Sequence, residues 1–438
     1  MKSLAISILL ISNVPGVAWA QTNRPPHLSA VQFDYDSVNA CLNVSYHVAD
    51  AEEANVTVNV AVFDASGLPV DVPSWGAINQ PLTANTQHAF AVDLSAYRQR
   101  VSALTYRLTA DDGVPVPFDE LISRIDTNRL KRRLTAISGV RHPSVPAGLK
   151  HLLEVRDLLN QSFQSFNCVV RQQPFQFAGY AGQNVIATST GTAATPVTYA
   201  LTAAYDGNWV TPGANMNASG VAGMLEVMEI LAAYPHKNRL TAIGLDYSGD
   251  DEFVGANYYL FKGGLSRREN LLGTFNFDRI GSYNPRARSL RPDKDFAQLF
   301  PAEQKKLEAD SLRANFMTIV SNHASRHLAD AVVRHAQHYA PHLRYVLEDY
   351  PGYGECTGGS HCTIFKVQQS DHVIFWYRRL PTLHITDGHA GEYIDSQEDD
   401  TVDKINFSFM RQLLSTNLAA LAELVGVQHA HSITLKVN

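Results

Sequence analysis

The sequence predicts an α/β fold, a mixed sheet flanked by helices, preceded by a small all-β sandwich. Three observations lead there. The chain has 438 residues, too many for one ordinary core. Between about 28 and 112, short runs alternate apolar and polar residues with a period of two. From about 147 onward, strand-like runs alternate with runs of helical period, the signature of a sheet covered by helices. Hydrophobic residues make up 45% and charged residues 18%, a globular composition that excludes a disordered chain. The net charge is -6 and no long basic run occurs, which excludes nucleic acid as the expected partner.

The first segment, 1–20, reads as an export signal. Lys2 precedes an apolar run over 4–14, and Ala18-Trp19-Ala20 supplies small residues around a cleavage point before Gln21. The run is short for a membrane anchor, the alternative reading, and polar residues follow it. The expectation is an exported protein, periplasmic or extracellular, with no membrane association after signal cleavage. Four cysteines suit an oxidising compartment. Cys356 and Cys362 lie close enough for a local disulfide. Cys41 and Cys168 could then pair across the domain junction, although spacing alone does not fix connectivity. A metal site at Cys356, His361 and Cys362 is the competing reading.

The segments SAVQFDYD, ACLNVSYHV, ANVTVNVAVFD, HAFAVDL and ALTYRLTADDG give strands over 28–112, separated by Asp, Gly, Asn and Pro. They resemble an immunoglobulin-like or fibronectin-like sandwich and carry no catalytic pattern, so a spacer or docking role is expected. Residues 113–146 form a linker with one amphipathic helix over 118–134. Asp119 and Glu120 favour its start, and Lys131, Arg132 and Arg133 favour its end. The domain 147–438 begins with a helix in AGLKHLLEVRDLLNQSF. Strands follow in VVRQQPFQF, NVIATS and VTYALTAAYD, then a helix in GVAGMLEVMEILAAY, then strands in LTAIGLDYS, LLGTFNFDRIG and LPTLHIT. Ligands of such sheets bind beyond the carboxyl ends of the strands.

Residues 132–435 carry an ordered series of motifs: NVIATSTGT, YALTAAYDG, TPGANMNASGVAGMLEVMEIL, SGDDEFVGANYYL, GTFNFDRIG, SDHVIFWYRRLPTLHITDG and DTVDKI. In this order they resemble the co-catalytic zinc exopeptidase family, which includes bacterial leucyl aminopeptidases and animal glutaminyl cyclases. The resemblance implies two zinc ions held by a His, a bridging carboxylate, a Glu or Asp, an Asp and a second His. A Glu acts as general base on the metal-bound water.

Carried over residue by residue, the set is incomplete. The first His position is Ala204, with the orienting carboxylate kept as Asp206. The bridging position is Met216, whose thioether is a poor partner for zinc among hard oxygen donors. The Glu-Glu pair falls on Gly249, Asp250 and Asp251. Without a gap Asp250 is the ligand; with a one-residue deletion Asp250 is the base and Asp251 the ligand. The next ligand is kept as Asp278, and Asp371 with His372 matches the supporting SDH segment. The last His position is Ile394.

Three of five ligand positions thus lack a donor, and any remaining metal would rest on Asp278 and Asp250. The resemblance therefore implies the fold while the residues argue against the activity. The expectation is a non-catalytic protein that binds a peptide, a cation or another protein, with no cofactor. Asp206, Asp250, Asp251, Asp278 and Asp371 would be its pocket carboxylates, and their crowding should raise some of their pKa values. The alternative is an active zinc aminopeptidase with replacement ligands from His361, His372, His384 and His389. His323, His327, His335, His338 and His342 are expected on a solvated helix face, and Asp395, Glu398, Asp399 and Asp400 in a solvated loop, although Asp400 and Asp403 also match the family's DTVD string, which the resemblance implies helps fix the following helix. Ser360 has no Gly-x-Ser-x-Gly setting, so serine chemistry is excluded.

Overall fold

A computed structural model describes residues 24–65, 67–193, 196–248, 253–292, 296–350, 352, 370–388 and 399–437. The export segment 1–20 and the pair Cys356 and Cys362 lie outside the described residues. Among those described, no helix is long and apolar enough to cross a membrane.

The amino-terminal region is a sandwich of β1 (His27–Asp36), β2 (Cys41–Ala49), β3 (Asn55–Phe63), β4 (Pro69–Val70), β5 (Ser74–Gly76), β6 (Gln80–Thr83), β7 (Thr86–Asp93) and β8 (Thr105–Pro115). One sheet has the order β1-β2-β7-β5 and the other includes β8-β3-β4, with β6 on β3. Alternate residues such as Leu42, Val44 and Tyr46 in β2 and Tyr106, Leu108 and Ala110 in β8 point between the sheets into one apolar core. Period-two alternation produces this because successive strand side chains face opposite sides.

Next come α1 (Phe118–Ser123), α2 (Thr127–Ile137), α3 (Pro146–Ser165), β9 (Val169–Phe177), β10 (Tyr180–Ser189), β11 (Thr198–Ala204) and α4 (Gly220–Ala232). They are followed by β12 (Arg239–Leu245), α5 (Val254–Phe261), β13 (Leu271–Phe277), α6 (Phe296–Leu299), α7 (Pro301–Ala309) and β14 (Phe316–Asn322). The chain ends with α8 (Arg326–Tyr339), β15 (Arg344–Tyr350), α9 (His372–Tyr377), β16 (Thr382–Asp387), α10 (Phe407–Val425) and β17 (Gln428–Leu435).

The large sheet has the order β15-β14-β16-β13-β11-β12-β10-β9. Its middle, β12-β11-β13-β16, is parallel, so the carboxyl ends of four strands reach one edge of the sheet. Residues on both faces of these strands are buried, which explains why apolar residues do not simply alternate with polar ones along them. The buried helix α4 packs against β11, β12 and β13, and its Val221, Leu225 and Met228 belong to the main apolar core.

Four features depart from the sequence reading. The helix expected over 118–134 is two helices. Asp126 breaks it by accepting from the backbone N–H groups of Asn128 and Arg129 at 2.8 and 3.3 Å, capping α2. Lys131 to Arg133 therefore lie inside α2, and Arg133 faces Glu226 and Glu229 of α4 instead of a helix end.

The segment 428–435, included in the domain 147–438 by the sequence reading, forms a strand that returns to the sandwich. β17 pairs antiparallel with β8, setting Ile433 opposite Leu108 and Leu435 opposite Tyr106. An open edge on β8 and the alternation of Ile433 and Leu435 make that pairing favourable.

Cys41 and Cys168 are both free, so the considered pairing is not formed. Cys41 opens β2 in one sheet of the sandwich. Cys168 precedes β9, beside Arg107 of the other sheet.

The histidine stretch is also divided. His323 and His342 fall outside α8, and His327 and His338 are exposed on it. His335 is instead buried, with Nε2 2.6 Å from Glu423.

Candidate functional site

The parallel register brings the sequence motifs together. Ala204 is the last residue of β11, and Asp206 follows two residues on. Asp278 follows β13, and Asp371 precedes α9. Met216 lies in the turn 214–219 before α4. Ala204, Asp206, Met216, Asp278 and Asp371 share one cavity with Gly207, Asn217, Ser248, Phe253 and Ser370. Its volume is about 30 Å³, room for roughly one water-sized group. Asp250, Asp251 and Ile394 lie outside the described residues.

The turn that carries Met216 is held from several sides. Asp400 accepts from the backbone N–H groups of Asn215 and Met216 at 2.7 and 2.9 Å. The Asn215 side chain donates to Asp387 at 2.9 Å, and its oxygen accepts from the Gly281 N–H at 2.8 Å. Gly213 precedes the turn with φ +59°, and a Cβ there would stand 2.3 Å from the Met216 carbonyl oxygen, so only glycine fits. Asp400 is thus fully buried and structural, where a solvated loop residue was expected.

Behind the cavity lies Arg141, fully buried. Its guanidinium donates to the carbonyls of Tyr205, Ile137, Gly139, Pro212 and Gly213 at 2.8–3.1 Å. Burial pulls its pKa down to about 10, while Asp206 and Asp400 favour its charge. This one side chain ties the segment after β11 to the turn before α4.

Ser248 joins two of the carboxylates. Its backbone N–H donates to Asp206 at 2.9 Å and its hydroxyl to Asp371 at 2.6 Å. Asp371 is buried at 2% exposure. Burial pushes its carboxyl up to about 7; the Ser248 hydrogen bond opposes this, and the charges of Asp206 and Asp278 add to it. Asp278 has the Arg279 guanidinium 3.6 Å from its oxygen.

His372 and His384 do not line the cavity. Their rings stack at 4.6 Å, nearly parallel, and the His384 Nδ1 lies 3.2 Å from the Asn276 amide. Burial pulls His384 down to about 3, with Arg279 adding to the shift, and pulls His372 well below the usual imidazole range. His361 and His389 lie outside the described residues. Among the described residues, no group of three or more His, Cys, Asp or Glu is arranged to hold a metal ion.

Ser248, Asn217, Ser370, Arg141 and Arg279 enter the site or its support without having been marked from the sequence. Ser248 adjoins the Gly249-Asp250-Asp251 motif, which is its one local signal. Arg141 sits in a segment of linker character, and nothing in its neighbours announces a buried guanidinium.

The sequence profile of peptidase family M28 matches residues 184–421. No curated protein sequence matches the chain. Among solved structures, the chain is similar to an aminopeptidase from Aneurinibacillus sp. strain AM-1, with 14% identity and a TM-score of 0.52, covering 71% of this chain and 97% of that one. It is also similar to the LapA aminopeptidase of Legionella pneumophila, with 12% identity and a TM-score of 0.53, covering 84% and 99%. LapB of the same organism gives 11% identity and a TM-score of 0.50, covering 84% and 99%. At these identities the likeness concerns the fold.

Proposed function

The chain belongs to peptidase family M28, whose profile spans more than half of it, and from that premise we propose that its pocket binds the amino end of peptides without cleaving them. The observation that carries this reading is the cavity lining. Ala204 and Met216 face it, at positions to which the resemblance assigns a histidine and the metal-bridging carboxylate. Zinc in a hydrolytic site takes three or more nitrogen and oxygen donors and keeps one position for water. The described lining offers Asp206, Asp278 and Asp371, no imidazole, and one carboxyl already raised to about 7. This donor set does not fit a two-zinc centre.

What the lining does suit is a compact cation. An ammonium group is close to water in size and is attracted by carboxylates in a poorly solvated hollow. A peptide's free amino end presents that group with an extended chain behind it. The amino-terminal signal in the sequence supports an exported protein that meets such peptides outside the cytoplasm.

The test is calorimetry with short peptides whose amino end is free or acetylated, alongside an aminoacyl-nitroanilide assay with added zinc. Binding of the free form alone, with no chelator-sensitive turnover, is expected. Chelator-sensitive turnover would overturn the reading and favour an enzyme with replacement ligands. A second check rebuilds the donor set: Ala204→His, Met216→Asp and Ile394→His together should create tight zinc binding. A folded triple variant that stays free of zinc would overturn the residue assignment.

A further inference from the structure

A second cavity, of about 730 Å³, lies between the sandwich and the α/β region. That volume is within the range of small-molecule sites. β3 and β8 contribute Phe63 and Arg107, Leu104 lies just before β8, the segment entering β9 contributes Cys168 and Val169, and Lys436 follows β17.

Arg107 is unusual here. Its guanidinium is largely buried, donates to the Thr190 carbonyl, and lies 5.8 Å from the centre of the Phe63 ring. No carboxylate pairs with it among the described residues. The one acidic side chain on the cavity wall, Asp64, is 2.5 Å from the Arg268 guanidinium. A buried cation without a counter-ion is costly, by several kcal/mol for a fully desolvated group. Four of its five N–H donors are unused, in the planar fork that matches a carboxylate or phosphate. Lys436 adds a second positive charge on the same wall.

We propose that this cavity binds an amphiphilic oxyanion, its carboxylate or phosphate head on Arg107 and Lys436 and its apolar body against Phe63, Leu104 and Val169. The site is separate from the carboxylate pocket and of opposite charge. It couples the sandwich to the α/β region, because β8, β9 and β17 all border it.

The experiment is calorimetry of the full chain with phenyl phosphate and with 4-phenylbutyrate. Saturable binding of at least one is expected, and the tighter of the two identifies the preferred head group. Arg107→Met should weaken it about 10-fold or more, as loss of a charge-assisted pair does. Lys436→Met should weaken it a few-fold, and Asp371→Asn should leave it unchanged. Absence of saturable binding by both probes overturns the proposal, as does binding that survives Arg107→Met. Should Arg107→Met fail to fold, the wild-type chain still decides. Alkylation of Cys168, followed by peptide mass spectrometry at high pH, should slow several-fold with bound probe while that of Cys41 does not. An unchanged Cys168 rate under saturating probe counts against the site.

Discussion

Glu226 and Asp371 are both buried carboxylates, and the chain treats them in opposite ways. Glu226 on α4 is wrapped by two guanidinium groups. Arg129 reaches its oxygens at 2.6 and 2.7 Å, Arg133 at 2.9 Å, and the Asp126 backbone N–H donates at 2.8 Å. Asp371 receives one hydroxyl and faces two further carboxylates. A carboxylate that joins helices is neutralised where it stands. One that borders a cavity is left with its charge unbalanced. The cost of that imbalance makes the two regions distinguishable by experiment.

The largest effect is expected at the balanced site. Glu226→Gln removes the charge that two arginines share and leaves them facing a neutral amide inside the protein. Breaking a buried ion pair from one side costs about 3–5 kcal/mol. The midpoint of urea unfolding should fall accordingly, with an unchanged slope. A loss below about 1 kcal/mol would erase the contrast, since Glu229 would then suffice for both arginines.

At the unbalanced site the same kind of change should stabilise. Asp371 in the folded chain titrates near 7, against 3.8 for the unperturbed group. Between those values the folded state holds a proton that the unfolded chain has released. Stability from this group is therefore fully present below about pH 4 and is lost as pH rises to about 7. Asp371→Asn removes the penalty. The variant should match the wild type near pH 4 and exceed it near pH 7.5 by on the order of 3 kcal/mol. Taking the difference between variant and wild type cancels the contribution of Asp246, which burial pushes up to about 6. A difference that does not grow with pH would sink the claim that Asp371 carries an uncompensated charge. Under the proposed function, the stabilised variant should also bind free amino ends more weakly.

The fold was legible where pattern is local. Thr198–Ala204, Leu271–Phe277 and Thr382–Asp387 are short, almost wholly buried runs rich in apolar residues because both sheet faces are covered, and such runs stand out in any sequence. β14 and β15 went unmarked. β15 carries Arg344, Glu348 and Asp349 at the sheet edge, which mutes its apolar signal, and nearby histidines favour a helical reading of the whole stretch. β17 also went unmarked and its residues were left in the α/β domain, because nothing in eight residues says which edge they will find. In the site, the carboxylates were legible through their motifs, since Asp206 and Asp278 sit just past strand ends and Asp371 at the start of α9. Arg141, Asp400 and Ser248 were not. Their roles rest on contacts such as Arg141 to Gly213 and Asp400 to Met216, which span 72 and 184 residues and exist only once the sheet has assembled.

The smallest expected effect sharpens the comparison most, because it tests the side chain that tempers Asp371 most. Ser248 donates its hydroxyl to Asp371, and its backbone N–H, which Ser248→Ala keeps, continues to serve Asp206. At pH 5 Asp371 is protonated, and the variant loses a neutral hydrogen bond worth about 1 kcal/mol. At pH 8 the carboxylate is charged, and the lost bond is charge-assisted, worth roughly 2 kcal/mol. The destabilisation should therefore increase with pH, opposite in sign to the effect of Asp371→Asn. The Asp371 transition should also move further up, because the larger of the two hydrogen bonds pulling it down is gone. In the double variant Ser248→Ala, Asp371→Asn the pH dependence of the serine effect should vanish. If it persists, the hydroxyl acts on Asp206 or Asp278, and the unbalanced charge in the cavity belongs to one of them.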